Sequence, residues 1–61
     1  MTVTINGYKV TANKETLNYI SMLANEASRR YGEENYNGLS EEAYSFSKVI
    51  FDKLNATGYY N

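Results

Sequence analysis

TVTINGYKVTA, residues Thr2–Ala12, sets how the chain begins to fold. Apolar and polar residues alternate on both sides of Asn6-Gly7, the pattern of a strand with one buried face. Asn-Gly suits a two-residue type I′ turn, because that turn needs positive φ at both centres. The turn then sets the register. Ile5 falls opposite Tyr8 and Val3 opposite Val10 on one face, with Thr4 and Lys9 on the other. Turn and pattern agree on a β-hairpin over about 2–12.

Two helical patterns follow. NKETLNYISMLANEASRRYG, from Asn13, has Asn13 as its N-cap and Gly32 as the residue just past its C-terminus. At about 100° per residue, Leu17, Ile20, Leu23, Ala24, Ala27 and Tyr31 fall on one stripe, which predicts an amphipathic helix over about 14–31. The second helix is expected to start after Ser40, with Leu39 stapling onto Tyr44, and to run over about 41–56. Its apolar arc is wider, taking in Ala43, Tyr44, Phe46, Ile50, Phe51 and Leu54, with Val49 just outside. Such width predicts contact with both the hairpin and the first helix. Gly58 then ends the second helix with Tyr59 touching Leu54, the C″ to C3 contact of a Schellman ending. The expected fold is α+β: one small ββαα domain spanning residues 1–61, its hairpin packed on an antiparallel pair of helices. The segment from Gly32 to Leu39 is expected to be the most mobile internal stretch.

Composition narrows the chemistry. The 61 residues contain no cysteine and no histidine, which removes disulfides, thiolate sites, the commonest general base and the usual zinc ligand. Six Lys and Arg against seven Asp and Glu leave a net charge of −1, too little field to gather nucleic acid or an anionic membrane. No stretch has the length and apolarity of a membrane span or the pattern of a secretion signal. The expectation is a cytoplasmic protein of the kind common among small bacterial and phage products.

Three motifs invite a sharper reading. EENYNGLSEEAY, Glu33 to Tyr44, resembles the calcium loop of an EF-hand through Glu33, Asn35, Asn37 and Gly38 at positions 1, 3, 5 and 6. Position 12 is Tyr44 where a bidentate Glu should close the site, so metal binding is not expected. Arg29 and Arg30 are spaced for a phosphate clamp, yet they also suit the C-terminal turn of a helix, with Glu26 four residues before Arg30. Lys48 and Asp52 repeat that ion-pair spacing. GLSE at Gly38 is similar to the Gly-x-Ser start of the second helix in ribbon-helix-helix DNA-binding dimers, which makes a nucleic-acid-binding regulator of that type the alternative reading. Against it, the Asn6-Gly7 turn interrupts the ribbon and leaves Lys9 as its single basic residue. A helix-turn-helix is disfavoured because the expected link between helices is too long.

No phosphate loop, nucleophile elbow or metal motif appears, and no cofactor is expected. What remains is a binding surface. Of the seven tyrosines, Tyr8, Tyr31, Tyr44 and Tyr59 have structural assignments, whereas Tyr19, Tyr36 and Tyr60 are left over. Met22 projects roughly opposite the first helix's stripe, and its spacing of three places it beside Tyr19. The expected function is therefore a non-enzymatic protein-binding module, an adaptor, inhibitor or small regulator, contacting a protein partner or a second copy through Tyr19 and Met22, with Tyr36 and Tyr60 as further contacts.

Overall fold

The computed structural model describes residues 1–61 in the order β1 (Thr2–Ile5), β2 (Tyr8–Thr11), α1 (Lys14–Glu33) and α2 (Asn37–Ala56). The hairpin register is the one the turn dictates, with Val3 opposite Val10 and Ile5 opposite Tyr8. Asn6 at φ 51° and Gly7 at φ 83° supply the two positive centres. The ladder continues past the strands, since Met1 and Ala12 exchange backbone hydrogen bonds of 3.0 and 3.1 Å. Thr2 and Thr11 join hydroxyls at 2.8 Å on the solvent face.

The helices lie antiparallel and touch along their length, and α2 also runs beside β1. Val3 and Ile5 from the hairpin meet Leu17 of α1 and Ile50 and Leu54 of α2 in a core of five buried apolar side chains. Met1, Val10, Ala12, Ile20, Phe46 and Tyr59 close around it. Each helix of 20 residues is about 30 Å long, whereas four-residue strands reach only about 13 Å. The hairpin lies along the helices, with Thr2–Thr4 beside Val49, Lys53 and Ala56 and its Asn6 turn beside Ala24, Ala27 and Phe46. Tyr8 lies at the tip of that short ribbon and is 77% exposed, although its register partner Ile5 is buried. Its expected structural role fails because the helices meet the hairpin through β1 and leave the Tyr8 end of β2 uncovered.

The helix boundaries depart from expectation at the link. Asn13 caps α1 as its type suggests, its Oδ1 accepting from the Thr16 amide at 2.7 Å. Gly32 does not end α1; the helix runs on to Glu33, two residues past its expected end at Tyr31. Asn35, at φ 64°, takes the left-handed position. Around it the Tyr36 amide donates to the Tyr31 carbonyl at 2.9 Å and the Asn35 amide to the Gly32 carbonyl at 3.1 Å, the pair of bonds that defines a Schellman ending. Asparagine tolerates this conformation better than other non-glycine residues. The second helix then starts at once, its N-cap being Tyr36 and not Ser40, so Asn37, Gly38 and Leu39 are helical. Only Glu34, Asn35 and Tyr36 separate the helices. The segment expected to be mobile is thus mostly helix, and its remainder is held by backbone hydrogen bonds.

A second Schellman ending closes α2 as the sequence implies. Gly58 has φ 80°, the Tyr59 amide donates to Leu54 at 3.2 Å and the Gly58 amide to Asn55 at 3.0 Å. Tyr59 packs against the core that contains Leu54.

Candidate functional site

The contact between the helices is built from serines. Ser21 Oγ donates to the Ser47 carbonyl at 3.1 Å, and the two hydroxyls lie 3.2 Å apart. One heptad away, Ser28 and Ser40 repeat the arrangement. Ser21, Ser28 and Ser47 are buried, and no buried side-chain oxygen or nitrogen lacks a partner. A serine presents little bulk, so two backbones can approach closely while each hydroxyl satisfies itself on the facing helix. The sequence signal was the spacing of seven in Ser21/Ser28 and Ser40/Ser47, which an apolar-periodicity search passes over.

This small-residue seam divides the helix pair into two faces. One carries Leu17, Ile20, Phe46, Ile50 and Leu54 toward the hairpin. On α1 the residues Asn18, Met22 and Asn25 lie roughly 80–140° round from Leu17, beyond the seam. Tyr44, Lys48 and Phe51 take the matching positions on α2. Together with Tyr60 they line an open groove of about 530 Å³ whose floor is Ser21 and Ser47. Four large side chains are left to solvent in it: Met22 at 63%, Tyr44 at 54%, Phe51 at 46% and Tyr60 at 41%.

Tyr60 closes one end. Its ring stacks on Phe51 with centroids 5.0 Å apart and meets Tyr59 edge-on at 5.1 Å. Its hydroxyl donates to Asn18 Oδ1 at 2.6 Å, spanning from the last turn of the chain to α1. Desolvation against these rings, with a smaller contribution from the neighbouring Tyr59, raises the Tyr60 pKa above its ordinary value. Asn18 also points its amide at the Met22 sulfur, 3.8 Å away. The groove wall is therefore a connected set, Phe51 to Tyr60 to Asn18 to Met22.

Of the residues singled out from sequence, Met22 and Tyr60 come together here. Tyr19, 62% exposed, stands on the flank of α1 outside the groove. Tyr36 is at the helix link, where its ring meets Tyr31 edge-on at 6.4 Å. It repeats at the end of α1 the contact that Tyr59 makes at the end of α2. Sequence reasoning missed Tyr44 and Phe51, which it had assigned to the packed arc of α2. The breadth of that arc was the available signal, and one side of it faces outward. Leu23 likewise leaves its expected stripe and is 52% exposed, because it lies about 120° round α1 from the buried Leu17, at the stripe's outer edge.

The charged motifs resolve as surface pairs. Glu26 accepts from Arg29 and Arg30, and Lys48 lies 3.3 Å from Asp52. Hydrogen bonding from Arg29 is the main cause that holds the Glu26 carboxyl below its usual range and raises Arg29 in turn. The twelve residues of the EF-hand resemblance do not form a loop, since Glu33 ends α1 and Asn37 opens α2. No three His, Cys, Asp or Glu side chains gather to hold a metal ion. The three-residue link removes the loop-length objection to a helix-turn-helix. In its place stands the antiparallel register: both serine pairs sum to the same residue number, 68, as helices folded back along one another require. A helix-turn-helix sets its helices at about 90–120°. No helix is long and apolar enough to cross a membrane. No protein family, curated protein or solved structure matches this chain.

Proposed function

We propose that the chain is a non-enzymatic cytoplasmic binding module for a protein partner, and that the groove between α1 and α2 is its contact face. The observation that supports this is the cluster of Met22, Tyr44, Phe51 and Tyr60 left exposed on the face away from the hairpin. Aromatic side chains and methionine are the types enriched where proteins meet, because they offer large contact area with few rotors to freeze. Isolated exposed apolar residues need no explanation, whereas four converging on one groove support reading it as a contact face. Tyr19 and Tyr36 are peripheral to this face, and the weight of the reading moves to Met22 and Phe51.

The test uses the tagged protein and its Met22→Ala/Phe51→Ala variant as bait in native lysate, with and without nuclease. A discrete protein that survives nuclease and is lost with the double variant supports the groove as the contact face. Equal capture by both baits, or recovery that depends on nucleic acid, overturns it.

A further inference from the structure

The groove's chemistry narrows the kind of partner, an inference that rests on the binding-module reading above. Its nine lining residues include one cation, Lys48, and no carboxylate. Asp52, which pairs with Lys48, lies outside the lining, and both side chains of that pair are more than half exposed. An exposed pair of this kind contributes little and exchanges partners readily. Along the groove, Phe51 and Tyr60 mark one end and Tyr44 and Asn25 the other. In the antiparallel register Lys48 stands near the middle, level with the turn of α1 that carries Met22, on the α2 rim. Asn18 to Asn25 on one wall and Tyr44 to Phe51 on the other each span two helical turns, about 10 Å. Two antiparallel helices with an open groove between them match the ridge of a third helix.

We propose that the groove receives an amphipathic helix of a partner protein, with apolar side chains at i, i+3 or i+4, and i+7 in the groove and a carboxylate flanking that stripe to meet Lys48. This is the helix-in-groove mode of recognition, with the flanking charge setting partner choice as it does beside a coiled-coil seam. A second copy fits less well. Two-fold pairing of this face with itself brings Lys48 close to its own mate, and the lining offers no carboxylate to either.

The test compares three labelled sixteen-residue helical peptides that share a leucine stripe and differ only in the flanking positions, which carry Glu, Gln or Lys. Fluorescence anisotropy with the full chain should rank them Glu, Gln, Lys, with Glu at least about threefold tighter than Gln, the scale of one exposed charge pair. Lys48→Glu should reverse the ranking. Equal affinities for the three peptides overturn the acidic preference and leave the groove itself standing if Met22→Ala/Phe51→Ala weakens all of them. Failure of every peptide to bind overturns the helix inference, and the binding-module reading is then judged by the lysate comparison alone. Sedimentation showing a dimer that Phe51→Ala dissolves also overturns it, by assigning the face to a second copy.

Discussion

Ser28 and Ser40 bond across the helix interface reciprocally: each hydroxyl donates to the other residue's carbonyl at 2.8 Å, and the two oxygens lie 3.2 Å apart. The pair sits where α1 and α2 are closest to their link, and one heptad away Ser21 and Ser47 make the contact in one direction, Ser21 donating to the Ser47 carbonyl. Polar side chains at a buried seam stabilise only if they are satisfied, and these are. They also place a bound on size.

Ser40→Ala removes one of the two reciprocal bonds and should lower stability by about 1–2 kcal/mol in urea unfolding. Ser21→Leu puts a branched side chain between backbones that approach at a serine and should cost about 1–3 kcal/mol, more if the helices separate. A neutral result for Ser21→Leu would show that the seam tolerates bulk and that the helix spacing does not depend on it.

A chain of this length has a total stability of about 3–9 kcal/mol. Leu17 is fully buried at the junction of the hairpin and both helices, so Leu17→Ala should cost about 2–5 kcal/mol and leave much of the protein unfolded. Phe51→Ala, at a half-exposed position outside that cluster, should cost less than about 1 kcal/mol. Circular dichroism melts of the two variants check the contrast. A folded Phe51 variant is also what makes the groove experiments readable.

Two glycines should respond in opposite directions. Gly58 holds φ 80° at the end of α2, where an alanine pays about 1–2 kcal/mol for the left-handed backbone. Gly38 is helical with open space where a Cβ would stand, so Gly38→Ala should raise stability by about 0.5–1 kcal/mol. Melting temperatures that move the same way for both would contradict the placement of Gly38 inside α2.

The Tyr60 phenol titrates above its ordinary value because burial against Phe51 and Tyr59 disfavours the phenolate. A folded-state pKa raised above the unfolded one means that its stabilisation is complete below the ordinary tyrosine value, about pH 10, and is lost as pH rises through the raised value. Ultraviolet titration should show a tyrosine that ionises above the ordinary value disappear in Tyr60→Phe, together with the alkaline loss of stability it causes. Loss of a phenol that ionises at the ordinary tyrosine value would place Tyr60 free of the groove wall.

Much of this fold can be read along the chain because its determinants are local. Asn6-Gly7 selects the turn and hence the register of Val3, Ile5 and Val10. Asn13 caps α1, and Gly58 with Tyr59 and Leu54 ends α2, each through hydrogen bonds that reach at most five residues. The link was misread for the same reason. Gly32 and Gly38 look like punctuation, yet either residue can stay in a helix when its neighbours continue the hydrogen-bond ladder, and Asn35 was available to take the positive φ.

Which faces stay open was settled elsewhere. Periodicity places Tyr44 and Phe51 on the apolar side of α2 and Leu23 on that of α1, but it carries no information on how far a partner element reaches. Tyr44 and Phe51 stand beyond the serine seam, on the face away from the hairpin, so that edge of the apolar arc has nothing to pack against. The serine seam and the antiparallel register then turn Met22, Phe51 and Tyr60, distant in the chain, toward one groove. Sequence alone determined the four elements, the Asn13 and Gly58 caps and the hairpin register, because those depend on neighbours along the backbone. Tertiary structure alone decided the groove, because it depends on which face the hairpin covers and on side chains that meet only when the helices close.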